Sequence, residues 1–262
     1  MPKLNTPSIL KLNPHERNIA IETFIQAKQA ANEPYTMADR EFIAQYEGAG
    51  GLASKGARGQ GLLHEFYTPE WLCKKMWELA IHHGYNGGSI LEPSCGTGRF
   101  IKDAPGHADI TAFEINPFAA RITKVLYPQV KVYDQHFETA FLQGPRYTSL
   151  LKSDTTWLLD YPFSLVISNP PYGKYSGQYA PFFKKEKFKQ FETFFMYKSL
   201  QLLEPGGLLV FVTSSNIIRS GVSYQSEKDK ISELADLIDA YRLPPVFKHS
   251  QVPTDIIILR RK

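Results

Sequence analysis

The chain has 262 residues, 43% hydrophobic and 21% charged, which is ordinary globular material and long enough for one large α/β domain with appendages. A formal net charge of +4 permits a polyanionic partner without demanding one, so the distribution of charge must carry that argument. No apolar run approaches the roughly 20 residues of a membrane helix, the N-terminus lacks the apolar core of a signal peptide, and Cys73 and Cys95 alone argue against a disulfide framework, so a cytoplasmic protein in a reducing compartment is expected.

Between residues 14 and 31, Ile19, Ile21, Phe24, Ile25 and Ala27 recur at near-helical spacing behind Pro14, which a first turn tolerates, and a helix is predicted there. A second, shorter helix is predicted over residues 38–46, with Phe42, Ile43 and Tyr46 on one side. Six glycines then crowd residues 48–61. They lack the Gly-Lys-Ser/Thr ending of a phosphate loop and follow no strand, so they read as a flexible loop or as a flap over a ligand. Residues 1–60 are thus expected to form a helical extension with a glycine-rich loop, and residues 61–262 the principal domain. Thr68 as N-cap and Pro69 in the first turn open a helix whose inner face carries Leu72, Met76, Leu79 and Ala80. Its free backbone amides suit a carboxylate. Cys73, His82, His83 and Cys95 match no usual zinc spacing, and no metal is expected.

Residues 89–98, Ser-Ile-Leu-Glu-Pro-Ser-Cys-Gly-Thr-Gly, read as a strand followed by a tight turn in which Gly96 and Gly98 let the backbone approach a ligand. Glu92 ends the strand where it can hold a ligand ammonium. Residues 109–114 form a second apolar strand ending in Glu114, placed to accept hydrogen bonds from a ribose diol. Residues 130–134 form a third, ending in Asp134, which is placed to receive the amino group of an adenine ring and, taken singly, reads as a helix cap. Residues 144–161 read as a loop or irregular insertion.

Phe163-Ser164-Leu165-Val166-Ile167 is a buried strand that stops at Ser168-Asn169-Pro170-Pro171-Tyr172-Gly173, because proline can neither donate to a ladder nor continue a strand. Here the Asn169 amide oxygen and the Pro170 carbonyl are acceptors for a planar amino group, and the Tyr172 ring can stack on a base. Alone, this tetrapeptide serves equally well as a turn and as an active site. Residues 174–189 carry five lysines against one glutamate, interleaved with aromatics, a pattern that suits phosphate contact and base stacking or a solvated loop. A helix with Phe191, Phe194, Phe195, Tyr197, Leu200 and Leu203 on it ends at residues 204–207, and its aromatics are assigned to the core. Strands follow at residues 208–213, 237–243 and 255–259, and Phe247 is a wall of the base pocket or a loop anchor.

Taken in order, Phe66-Tyr67-Thr68-Pro69, Leu91-Glu92-Pro93-Ser94-Cys95-Gly96-Thr97-Gly98, Glu114, Asp134 and Asn169-Pro170-Pro171-Tyr172 resemble the S-adenosylmethionine-dependent DNA methyltransferases of the adenine-N6 type, in their gamma-like motif order. The resemblance implies a Rossmann-like class I methyltransferase fold, a seven-stranded mostly parallel sheet of order 3-2-1-4-5-7-6 with helices on both faces and the last strand antiparallel. It implies S-adenosylmethionine as cofactor, held by Tyr67, Thr68, Glu92, Ser94, Gly96, Glu114, Ile115, Asp134 and Asn169. It implies Asn169, Pro170 and Tyr172 as the catalytic set, with Tyr172, Lys174 and Phe247 against the substrate, an adenine flipped out of duplex DNA. No Pro-Cys nucleophile of the cytosine-C5 enzymes is present. The family also leads one to expect a target-recognition domain after the catalytic one. The chain stops just past the seventh predicted strand, so recognition falls to the N-terminal helices with the lysine segment, to a partner chain, or to the rest of a larger restriction-modification protein. The rival readings are a methyltransferase for RNA guanine N2 or protein glutamine, and a donor-binding subunit without catalysis.

Overall fold

The computed structural model describes residues 12–47, 68–106, 108–142, 162–219, 224–247 and 252–262. The expected glycine-rich loop, Tyr67 and the insertion at 144–161 lie outside these residues.

The N-terminal extension forms helices α1 (Pro14–Ala30) and α2 (Met37–Ile43). Each opens with a capping box: Asn13 accepts from the Glu16 amide while Glu16 accepts from the Asn13 amide, and Thr36 and Asp39 repeat the exchange. Ile21 and Ile25 of α1 and Phe42 and Ile43 of α2 pack with Tyr46 around Ile122 of a later helix, making a satellite core that docks the extension on the main domain. Fully burying an isoleucine contributes about 1.5–3 kcal/mol, so this contact is a real anchor.

The main domain alternates α3 (Glu70–His82), β1 (Ile90–Glu92), α4 (Arg99–Lys102), β2 (Ile110–Phe113), α5 (Pro117–Leu126), β3 (Lys131–Tyr133), β4 (Phe163–Ser168), α6 (Phe191–Leu202), β5 (Leu203–Ser214), α7 (Gln225–Leu234), β6 (Ala235–Arg242) and β7 (Thr254–Arg261). The seven strands form one sheet of order β3-β2-β1-β4-β5-β7-β6. β7 runs antiparallel to β5 and β6, and the remaining neighbours are parallel. The expected fold class, strand order and direction are all found. Successive β4 residues serve opposite faces: Leu165 and Ile167 pack towards α3, and Val166 packs towards α6. A strand buried on both faces reads as a continuous apolar run, which is why residues 163–167 were recognisable.

Three expectations are corrected. The helix after residue 68 begins at Glu70 with Pro69 at the cap and no side-chain cap bond, so Thr68 stands one residue ahead of the capping position. Its buried carbonyl instead accepts from Arg99 Nη1 at 3.3 Å. Residues 204–207 do not separate helix from strand: β5 starts at Leu203, and the Phe163–Leu203 pairing is joined to the main β4–β5 ladder by a register shift. Glycine and proline sit at such irregularities because the ladder is already interrupted there. Finally, the aromatics of the lysine segment do not face solvent. Tyr175, Tyr179, Phe183 and Phe188 are all buried in the core, Tyr175 stacking on Phe194 with ring centroids 4.1 Å apart, while Lys174, Lys184, Lys185, Lys187 and Lys189 are exposed. Burial outweighs any stacking role because each ring removes large apolar area from water.

Candidate active site

A cavity at the carboxyl ends of β1, β2 and β4 is lined by Thr68, Glu92, Ser94, Gly96, Glu114, Ile115, Asn169, Pro170 and Tyr172. Parallel strands end together at this edge, and in open α/β sheets the crevice at the switch point between β1 and β4 is where ligands bind.

Glu92 closes the floor. It is 1% exposed, and its Oε2 has no hydrogen-bond partner among the described residues. Burial, reinforced by the Glu114 charge, pushes its carboxyl well above the usual range. A buried carboxylate left unpaired is costly, and an incoming ammonium would convert that cost into attraction. The turn above it is tied at both ends: the Cys95 amide donates to the Phe113 carbonyl at 2.8 Å and the Gly98 amide to the Cys95 carbonyl at 2.8 Å. Gly98 has φ +78°, and a Cβ there would lie 2.8 Å from the Tyr127 ring, so backbone conformation and packing both require glycine. Thr123 on α5 donates to the Gly96 carbonyl at 2.8 Å, fixing the turn from behind.

Glu114 accepts from the Gly96 amide at 2.8 Å and from the Asn116 amide at 2.7 Å, one bond to each oxygen. Two backbone amides thus fix the direction of the acid. Cys95 and Cys73 are buried thiols whose pKa burial raises, which marks them as packing residues and not nucleophiles.

On the opposite wall, Ser94 Oγ lies 2.8 Å from Ser168 Oγ and donates to the Asn169 carbonyl at 3.2 Å. This hooks the turn after β4 onto the turn after β1. Tyr172 Oη donates to Asn169 Oδ1 at 2.6 Å, and the Phe247 ring stands edge-on to Tyr172 at 6.4 Å between centroids. Burial, then the nearby Glu192 carboxylate, pushes the Tyr172 phenol well above its ordinary value, so the hydroxyl is a donor at every physiological pH.

Three sequence-predicted residues stand apart from this cavity. Asp134 is exposed, 3.4 Å from Lys124 Nζ of α5, and is not in the lining. Lys174 is exposed just beyond the turn, bridged to Gln190. Phe247 is buried behind Tyr172 and is not in the lining. Conversely, Arg99, Asn116, Phe137 and Phe195 line the cavity without having been singled out. Asn116-Pro117 carries a helix-start signal, and Asn116 Oδ1 does accept from the Phe118 amide at 2.9 Å. Phe137 and Phe195 carried only an apolar signal that core packing also explains. Among the described residues no group of histidine, cysteine or acidic side chains is arranged to hold a metal ion, and no helix is long and apolar enough to cross a membrane.

Residues 108–243, which run from the start of β2 past the end of β6, match the family described as Eco57I restriction-modification methylase. Over 225 residues, 85% of the chain, it is 27% identical to the defense against restriction protein B of Escherichia phage P1. Over 122 residues, 45% of the chain, it is 29% identical to the type II methyltransferase M.CvrRI of Paramecium bursaria Chlorella virus XZ-6E. These matches span 9% and 26% of the two relatives' own lengths. Among solved structures, a type I restriction-modification methyltransferase subunit from Streptococcus thermophilus superposes with a TM-score of 0.58 at 19% identity, over 76% of this chain and 45% of that one. A class I S-adenosylmethionine-dependent methyltransferase structure from Listeria monocytogenes gives 0.55 at 16% identity, over 97% of this chain and 70% of the other.

Proposed function

Because the chain belongs to the Eco57I restriction-modification methylase family, with S-adenosylmethionine as its cofactor, we propose that it transfers a methyl group to the N6 amino group of adenine in DNA. The observation that carries this reading is the meeting of two features in one cavity: the unpartnered acid Glu92 on the floor and the Asn169-Pro170-Pro171-Tyr172 turn on the wall.

The donor's α-ammonium fits Glu92, the one lining carboxylate with an orphaned oxygen. Thr68 and Ser94 close the same end, and the Gly96 turn lets backbone approach where a side chain would collide. Glu114, oriented by two backbone amides, receives the ribose hydroxyls, with Ile115 and Phe137 as apolar walls beside it. Asp134 keeps no part in this assignment, since it stands outside the lining. When bound, the cofactor supplies an electrophilic methyl group.

The chain's own contribution is to orient the acceptor. An exocyclic adenine nitrogen is a poor nucleophile because its lone pair is delocalised into the ring. Asn169 Oδ1 and the Pro170 carbonyl accept its two hydrogens, which localises the lone pair and stabilises the positive charge that develops on nitrogen. Tyr172 stacks on the base, which must leave the duplex to be reached. Exposed Lys174 lies beside the phosphates of the flipped nucleotide. The choice of DNA sequence is assigned to a further domain or subunit.

The test is methyl transfer from tritiated S-adenosylmethionine to duplex DNA, to RNA and to a glutamine-bearing peptide, with digestion to nucleosides. Labelled N6-methyladenosine from DNA is the expected product. Label confined to RNA or peptide would sink the proposal.

A further inference from the structure

Between the N-terminal helices and α5 lies a second pocket, about 340 Å³ in volume, lined by Gln29, Tyr35, Arg40, Arg121, Lys124 and Asp134. Three cations and one carboxylate converge on it. Asp134 sits 3.4 Å from Lys124 and offsets that charge. Of the acids near Arg40 along the chain, Asp39 accepts from Lys28 Nζ at 3.0 Å and from the Thr36 amide at 2.8 Å, Glu33 pairs with Lys28 at 3.4 Å, and Glu41 is exposed and makes no ion pair among the described residues. Among the described residues, neither Arg40 nor Arg121 has a carboxylate within ion-pair distance.

Two half-buried arginines therefore share a concavity whose one lining carboxylate is paired with Lys124. Rigid packing brings them there, because Arg40 precedes the core residues Phe42 and Ile43 on α2 and Arg121 precedes Ile122 on α5. Like charges held together in a partly desolvated pocket repel, and an oxyanion relieves that repulsion. The planar guanidinium fork matches phosphate oxygens in a bidentate way that a lysine cannot. Tyr35 forms a wall, its hydroxyl 3.5 Å from the Ile25 carbonyl. Burial raises the Tyr35 phenol while the Arg121 charge lowers it, in keeping with an arginine directed at this wall. Position adds a second argument. Pro117 belongs to this pocket, and its neighbour Asn116 lines the methyl-transfer cavity, so the two concavities adjoin at the start of α5.

We propose that Arg40 and Arg121 form a binding site for a phosphate oxyanion, separate from the methyl-transfer cavity. The ligand is either a phosphodiester of a nucleic acid lying across the carboxyl edge of the sheet or a free phosphate group. The inference does not depend on the methyl-transfer reading, since it uses none of that cavity's residues.

Thermal unfolding of the full chain in inorganic phosphate, against sodium chloride of equal ionic strength, tests it. The wild type should melt higher in phosphate, and the double variant Arg40→Gln/Arg121→Gln should lose that shift. In phosphate-free, low-salt buffer the variant should melt at or above the wild type, because a repulsion has been removed. No phosphate-specific shift in the wild type, an equal shift in the variant, or a variant that melts lower without phosphate would each overturn the site. Salt titration of duplex binding then separates the sources. A phosphodiester ligand predicts a log K against log salt slope shallower by about 0.9 in the double variant, the value for one phosphate contact. An unchanged slope with the phosphate shift lost assigns the site to a free phosphate. A wild type that binds no duplex would count against DNA as the methyl acceptor while leaving the thermal arm decisive.

Discussion

The two halves of the sheet are built by opposite rules. On the β3-β2-β1 side the strands are three or four residues long, and their ends deliver Glu92 and Glu114 to a cavity through turns held by individual backbone bonds. On the β5-β7-β6 side the strands are 12, 8 and 8 residues long and pair in antiparallel register along most of their length. The first half positions polar groups at a cavity, and the second supplies buried area. The comparison predicts that stability and chemistry can be damaged separately.

The largest effect is expected from Ile258→Ala. Ile258 is fully buried in β7, and removing three carbons from a packed core costs about 2–5 kcal/mol. Denaturant unfolding should show that loss, while the folded fraction keeps its affinity for S-adenosylmethionine. Were donor binding to fall in step with stability, the separation between halves would be wrong. Asn169→Ala should do the reverse, lowering methyl transfer by about 10²–10³-fold, or roughly 2.7–4 kcal/mol, as for loss of a transition-state hydrogen bond. Donor binding, followed by calorimetry, should survive it, and retained methylation would favour a non-catalytic subunit.

Glu92→Gln lies between the two. A charge-assisted hydrogen bond contributes about 1.5–3 kcal/mol, so donor affinity should fall roughly 10- to 100-fold. The free protein should nevertheless gain stability at neutral pH. The folded carboxyl is raised above its unfolded value, so its contribution is complete at low pH and is lost as pH rises through the folded value. Glutamine has nothing to lose. The smallest expected effect belongs to Glu192 on α6, held by the Ser214 hydroxyl of β5. Burial, countered by that hydrogen bond and supported by Glu227, brings its carboxyl up from 4.5 to about 7. Wild-type stability should therefore decline between about pH 4.5 and 7, and Glu192→Gln should flatten that part of the melting-temperature profile. A profile identical to wild type would mean the group titrates normally.

Much of this was legible in the chain because each signal had one physical cause. Leu91-Glu92 and Phe113-Glu114 are apolar runs halted by an acid, Gly96 takes a positive φ, and Gly98 stands where only glycine fits. Asp134 has the same local signature but a different fate. A strand-end acid announces the carboxyl edge of the sheet without saying which side of the neighbouring helix its side chain will take, and here Lys124 on α5 draws it outward. The lysine segment failed for a related reason. Alternation of Lys and Phe records that a face is buried and a face is wet, and only the packing of Tyr175 on Phe194 says which role the rings serve. Strand length was misjudged at Leu203, where Pro205 and Gly206 look like a boundary, but pairing to β4 begins before them and resumes after them across a register shift.

The hydrogen bond from Tyr172 to Asn169 has a thermodynamic consequence for the proposed reaction. An amide oxygen can accept from two donors at once, so the tyrosine bond orients Asn169 Oδ1 in advance, and the entropy of fixing that side chain is lost on folding and not on docking. A base edge presenting an acceptor there meets the oxygen with no hydrogen to share, and is disfavoured against one presenting an amino group.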